Sequence, residues 1–174
     1  FSISFYAIVA VMTHRIRILN EEHSYNFVCS GYLVKDSKVL LVHHNRFNLW
    51  VPPGGHVEAG ELFHETAERE FFEETGMKVR AITDSALEYC DSNATNVPTP
   101  FYCDVETEGF SVPVITQFFW MMKTEDSPSL KPQLSEVYDV KFFSYDELDD
   151  LPTFDQVRVV ARFALANFPR LMDI

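Results

Sequence analysis

Residues 61–75 contain neither Gly nor Pro, are rich in helix formers, and run straight into Gly76. That pattern predicts a helix over 61–75 with Gly76 at its C′ position. Residues 49–58 (LWVPPGGHVE) stand just before it, and Pro52, Pro53, Gly54 and Gly55 in a row predict a loop. At about 100° per residue, Glu70, Glu73 and Glu74 share one helix face, at i, i+3 and i+4. Phe63, Ala67 and Phe71 form an apolar stripe bordering that face. The acidic cluster is therefore expected at the edge of the core, partly withdrawn from water. No other part of the chain restricts the fold so closely, because a loop, a helix, a buried stripe and a charged face are all specified together.

Two local effects oppose this arrangement. Like charges three and four residues apart destabilise a helix by a few tenths of a kcal/mol per pair. Glu73 and Glu74 also sit in the last turn, where the negative end of the helix dipole disfavours anions. No Lys shares the face, and Arg69 lies about 100° from Glu70. A cation from outside the sequence would offset both effects, and a convergent all-oxygen set suits Mg²⁺ or Mn²⁺. Gly54 and Gly55 allow the backbone to approach a ligand closely, so the Gly54 carbonyl is a further candidate metal ligand. The rival reading of the glutamates is an ordinary solvated acidic face.

The remaining pattern predicts strands on both sides of this helix. Residues 25–34 and 39–44 are rich in Val, Leu and aromatics, with 35–38 (KDSK) as a hairpin turn. Further strands are expected over 77–82, 85–89, 101–107, 114–124 and 137–143, a short helical turn over 145–150, and a closing helix over 155–167. Residues 91–100 (DSNATNVPTP) have loop chemistry. Strands around a central helix, with a second helix at the end, predict an α/β fold: an α/β/α sandwich with a mixed central β-sheet. Residues 1–11 are read as a vector-derived or N-terminal extension, with an edge strand as the alternative, and 12–174 as a single domain.

Charge and cysteine content limit the function. Among 174 residues there are 14 Lys and Arg against 26 Asp and Glu, a formal net charge of −12. Such a surface repels phosphate backbones and anionic lipid, so neither duplex nucleic acid nor a membrane is an expected partner. An anionic ligand would need a cation to mediate. Cys29, Cys90 and Cys103 are odd in number, widely spaced and outside any CxxC, as free thiols of a cytoplasmic protein would be.

Read as a whole, residues 55–77 (GHVEAGELFHETAEREFFEETGM) resemble the Nudix box, GX5EX7REUXEEXGU with U a bulky apolar residue. Gly55, Glu61, Arg69, Glu70, Glu73, Glu74 and Gly76 are its seven fixed residues, and Phe71 and Met77 fill its apolar slots. With each fixed residue at roughly 6–7% background, a chance match in this chain is on the order of 10⁻⁷. Trp50 with PPGG ahead of the box, and Glu136 followed by Phe142-Phe143-Ser144, also resemble the family. The resemblance implies the Nudix fold, a divalent-metal requirement, and hydrolysis of a pyrophosphate bond in a nucleoside diphosphate linked to another moiety. A nucleotide sugar, an ADP-ribose-like compound, a (d)NTP or a dinucleoside polyphosphate are the candidate substrates, and a nucleoside monophosphate plus a phosphorylated remainder the products.

By the same resemblance, Glu70, Glu73 and Glu74 are metal ligands with the Gly54 carbonyl, and Glu70 is alternatively the general base. Arg69 would orient the glutamates, while Glu61, with Gly55 and Gly76, would shape the loop. Glu136 is the second candidate base, ahead of Asp139 and Glu147. Substrate contacts are expected from His44, Arg46, Trp50 and Phe101, with aromatics stacking a base and Arg46 holding a distal phosphate. Two other functions fit the same fold: a non-catalytic nucleotide sensor, and an isoprenoid diphosphate isomerase, which would need a catalytic cysteine. Many members of this family are dimers, so a homodimer is a further expectation.

Overall fold

The computed structural model describes residues 14–18, 21–84, 89–107, 110–132 and 135–169. The proposed extension over 1–11 and most of the strand expected over 85–89 lie outside these residues. Chain reversal after the first long strand rests on Asp36 and Ser37, both in the left-handed region at φ 51° and 58°. Two such residues in succession form the tight turn whose twist matches an antiparallel pair. They join β2 (Glu21–Lys35) to β3 (Lys38–His44), with Val34 opposite Val39 and Lys35 opposite Lys38. Ahead of them β1 (His14–Ile18) pairs antiparallel with β2.

Residues 49–58, expected to be a loop, hold two three-residue strands, β4 (Leu49–Val51) and β5 (Gly54–His56). β4 continues the β3 hairpin, and β5 pairs antiparallel with the middle of β2, Gly54 opposite Ser30 and His56 opposite Val28. Glycine gives no strand signal, yet here its missing side chain is what permits the pairing. A Cβ on Gly54 would collide with Ser30 Oγ and lie 2.8 Å from the Ser30 Cα.

Helix α1 (Phe63–Thr75) begins two residues later than the pattern suggested. Leu62 donates its N–H to the Glu65 carboxylate at 2.9 Å, which satisfies one of the free amides of the first turn. Gly76, at φ 70°, closes the helix by donating to the Phe72 carbonyl at 2.7 Å. After it come β6 (Val79–Ile82), β7 (Tyr102–Glu106), β8 (Val114–Lys123), β9 (Val137–Ser144), a single 3₁₀ turn at Asp146–Leu148, and α2 (Asp155–Asn167).

The strands run in the order β4-β3-β2-β8-β6, with β9 beside β3 and β7 pairing the first half of β8. Only the β2–β8 pair is parallel among these ladders, which makes the sheet mixed. Period-two alternation along β2 and β8 divides the core between the faces. Cys29, Leu33, Phe119 and Met121 pack with Ala67 and Phe71 of α1. Tyr32, Phe118 and Trp120 pack with Val160, Ala161 and Ala164 of α2. Helix, sheet and helix therefore form the expected α/β/α sandwich. Among the described residues no helix is long and apolar enough to cross a membrane.

Two residues expected at the substrate belong to this core instead. Trp50 is 8% exposed, stacked on His43 at 5.1 Å and edge-on to Phe143 at 4.7 Å. Phe101 stacks on Trp120 at 4.6 Å and on Phe163 at 5.9 Å. Neither lines the cleft described next, because apolar area on the α2 side of the sheet claims both rings.

Candidate active site

A cleft of about 1000 Å³ opens beside the β5 turn and α1 and extends to β7 and the start of α2. At its α1 end stand Glu70, Glu73, Glu74, Arg69, Gly54 and Gly55. The three glutamates differ sharply in environment: the Glu74 side chain is 3% exposed, Glu70 14% and Glu73 44%. Helix geometry explains the gradient, since Glu74 follows the buried Phe71 stripe while Glu73 turns to solvent. The backbone N–H of Gly54 donates to Glu74 Oε2 at 3.2 Å, and His44 Nε2 lies 3.9 Å from Glu74 Oε1. Burial, followed by the charge of nearby Glu70, pushes the Glu74 carboxyl up to about 8. Burial also raises Glu70, although Arg69 opposes the shift.

Arg69 corrects the expectation that nothing in the chain offsets the acidic face. Its Nη1 contacts Glu70 Oε1 at 2.8 Å and Glu73 Oε2 at 3.0 Å, and its Nε contacts Glu61 Oε1 at 2.6 Å. Its Nη2 donates to the His56 carbonyl and to Glu61 Oε2, both at 3.1 Å. The helical angle gives only where the side chain starts, whereas the guanidinium reaches across the turn with five donors in one plane. Glu61 in turn accepts from the Glu58 N–H at 3.1 Å and the Thr66 hydroxyl at 2.7 Å. These bonds, led by Arg69, hold the Glu61 carboxyl down at about 2. Glu61 thus joins the loop to the helix.

The same fork affects the metal expectation. Among the described residues, no three Asp, Glu, His or Cys side chains are arranged to hold a metal ion. Arg69 holds oxygens of Glu70 and Glu73, and Gly54 holds one of Glu74, so the carboxylates do not converge as expected. The donor set nevertheless fits a hard divalent cation. Every donor is oxygen, and among the described residues the least exposed carboxylate has no Lys or Arg paired with it. A Cβ on Gly55 would also collide with the Glu70 carboxylate, so glycine keeps that oxygen pair against the loop backbone.

Linkage gives this arrangement a pH signature. In the metal-free protein, Glu74 binds its proton more tightly when folded, about 8, than its ordinary 4.5. Its contribution to stability is therefore fully present below pH 4.5 and is lost as pH rises through about 8. Glu70 adds the same sign, while Glu61 acts in the opposite sense and only below its ordinary value. Thermal melts in EDTA should fall steadily in midpoint between pH 5 and roughly 8, and Glu74→Gln should flatten the slope. An unchanged slope in the variant would remove Glu74 as its source.

His44, Arg46 and Glu136 also line the cleft. The Glu136 side chain is exposed, and its charge reaches Glu70 and Glu74. Arg46 lies over the Phe47 ring at 5.4 Å. The lesser candidates are elsewhere: Asp139 pairs with Lys141 at 2.6 Å, and Glu147 binds Lys38 and the Ser144 N–H. None of the three cysteines lines the cleft, and Cys29 is fully buried with its thiol pushed up to about 12, chiefly by burial. The catalytic thiol required of an isomerase is therefore absent from it. The cleft also contains residues given no individual role from sequence, among them Asp104 and Glu106 of the 101–109 segment, Phe154 and Gln156. For Asp104 and Glu106 the signal was available, since period two puts both on one face of β7.

A mixed sheet between two helices, with a carboxylate-lined cleft beside α1, makes the protein an α/β/α sandwich. The family model for the NUDIX domain matches residues 26–163. The chain belongs to the Nudix family. It is 28% identical over 160 residues to the NAD-capped RNA hydrolase NudC of Mannheimia succiniciproducens, covering 84% of this chain and 51% of that protein. It is 44% identical over 57 residues to the m7GpppN-mRNA hydrolase NUDT17 of Xenopus laevis, covering 30% of this chain and 19% of that protein. The chain thus spans about half or less of the length of these curated relatives. Among solved structures, a Nudix-family hydrolase from Clostridium perfringens superposes with a TM-score of 0.67 at 24% identity, covering 80% of this chain and 95% of that one. A UDP-X diphosphatase superposes with a TM-score of 0.59 at 19% identity, covering 81% and 62%. Likeness at these identities establishes the shared fold.

Proposed function

We propose that the protein is a Mg²⁺- or Mn²⁺-dependent pyrophosphohydrolase acting on a nucleoside diphosphate linked to a second moiety. One observation carries the reading. The last turn of the helix carries Glu74, a nearly buried carboxylate beside Glu70 and under the Gly54–Gly55 backbone, with no closely paired Lys or Arg among the described residues. A purely structural helix gains nothing from that burial, because an uncompensated buried charge is costly.

In this reading Glu70, Glu73, Glu74 and the Gly54 carbonyl hold the cation. Bound there, it neutralises charge on the pyrophosphate and lowers the pKa of a water nucleophile. Arg69 holds Glu70 and Glu73 in place between substrates, and Arg46 at the cleft wall takes a phosphate oxygen. Glu70 accepts the proton of the attacking water, with Glu136 as the second candidate. The water oxygen forms a bond to one phosphorus, the bridging P–O bond breaks, and the departing phosphate keeps the electron pair. The named relatives that act on capped RNA ends and on UDP derivatives support a nucleotide substrate with a pyrophosphate link.

The test is a panel of NAD, ADP-ribose, UDP- and GDP-sugars, dinucleoside polyphosphates and (d)NTPs, assayed with Mg²⁺ and with EDTA and scored by product identity. A nucleoside monophosphate should appear with Mg²⁺ and not with EDTA. Hydrolysis that is equally fast in EDTA, or no turnover of any member, would overturn the reading.

A further inference from the structure

The cleft has a second end that the proposed chemistry does not use. β7 carries Asp104 and Glu106 on one face, and both side chains line the cavity. Glu106 is held by one oxygen: the hydroxyl of Thr116, a residue 2% exposed, donates to Glu106 Oε1 at 2.9 Å. Beside it, Gln156 of α2 donates to Asp104 Oδ2 at 2.8 Å, and Asp104 Oδ1 has no hydrogen-bond partner among the described residues. Phe154, 45% exposed, and Phe47 form an aromatic edge to the same cavity, with their rings 5.8 Å apart. Two fixed carboxylates exclude a second phosphate from this end, and an aromatic edge favours a flat ring.

We infer that this end receives the nucleobase, and that Glu106, anchored by Thr116 and flanked by the Asp104–Gln156 pair, is its specificity-determining residue. The inference rests on the hydrolase reading for the position of the pyrophosphate. Ionised carboxylates accept hydrogen bonds and donate none. They match a base edge with two adjacent N–H donors, a ring N–H beside an exocyclic amino group, as in guanine. Adenine and cytosine place an acceptor next to their amino group, and that acceptor would face an oxygen of like charge. Phosphates then lie towards Arg46 and the α1 carboxylates, which sets the substrate's direction along the cleft.

Calorimetric binding with Mg²⁺ present tests this without any turnover, with GMP, IMP, AMP and ribose 5-phosphate, none of which has a pyrophosphate bond, as probes. GMP should bind more tightly than IMP, which lacks only the amino group, and than AMP and ribose 5-phosphate. Glu106→Gln keeps the acceptor for Thr116 and the side-chain size, and should reduce the GMP-over-IMP preference by about tenfold. Ribose 5-phosphate binding should stay as in the parent protein. Binding that does not depend on the base, an unchanged GMP-to-IMP ratio in the variant, or an equal loss for all four probes would overturn the inference. Base-selective binding in a protein that hydrolyses no substrate would sink the hydrolase reading alone, and hydrolysis without base selectivity would sink only this inference.

Discussion

Glu74→Gln should lower kcat by about a hundredfold at saturating Mg²⁺, roughly 2.7 kcal/mol in barrier, while leaving the protein folded. The substitution keeps size and the acceptor for the Gly54 N–H, which donates to Glu74 at 3.2 Å. What it removes is the negative charge nearest the core. In the free protein that charge is a burden, since burial holds the carboxyl up at about 8. The metal-free variant should therefore melt higher than the parent at pH 8, by about 2–4 °C for each kcal/mol of buried charge relieved. Lower activity with higher stability is the expected pair of results, the usual relation between a strained functional group and its fold. A loss of activity below about tenfold, roughly 1.4 kcal/mol, would remove Glu74 from the proposed machinery.

Arg69→Ala should give the opposite stability change. Its guanidinium serves Glu61, Glu70, Glu73 and the His56 carbonyl at once, and its side chain is 24% exposed. Truncation leaves Glu61, 21% exposed, without its counter-charge and frees the loop from the helix. Breaking a fully buried pair costs about 3–5 kcal/mol, so partial exposure here suggests about 2–3 kcal/mol. A urea denaturation series should place the midpoint lower by that amount with the slope unchanged. Arg69→Lys should recover only part of the loss, because one ammonium cannot hold four acceptors in a planar fork. Full recovery by Lys would mean that charge alone, and not the fork, organises the glutamates. Activity should fall in both variants, since Glu70 and Glu73 lose the group that positions them.

The central helix and most of the strand positions were readable because each has a strong local cause. The absence of Gly and Pro over 61–75, followed at once by Gly76, specifies α1 almost fully. Its start at Phe63 was not readable, since Glu61 folds its carboxylate back onto Glu58 and Thr66 in contacts no periodicity reveals. β4 and β5 were hidden inside LWVPPGGHVE, where prolines and glycines mask the pairing that β2 imposes. Trp50 and Phe101 were assigned to the substrate because a ring near a loop has two uses, and only packing decides between them. Arg69 starts about 100° from Glu70 but only about 40° from Glu73, four residues on, and its long side chain joins both. Gln156 meets Asp104 across fifty-two residues of sequence, a contact with no local signature.

The single parallel ladder has a kinetic consequence for how the cleft comes into being. Val28 to Ser30 reach β5 within the same part of the chain, so the turn over Glu74 closes from nearby contacts. The β7–β8 wall, with Glu106, can join β2 only when Asn26 meets Val114. Joining ends so far apart costs more chain entropy and slows folding. The two ends of the cleft thus differ in contact range, and the carboxylate end should gain hydrogen-exchange protection before the β7 end does.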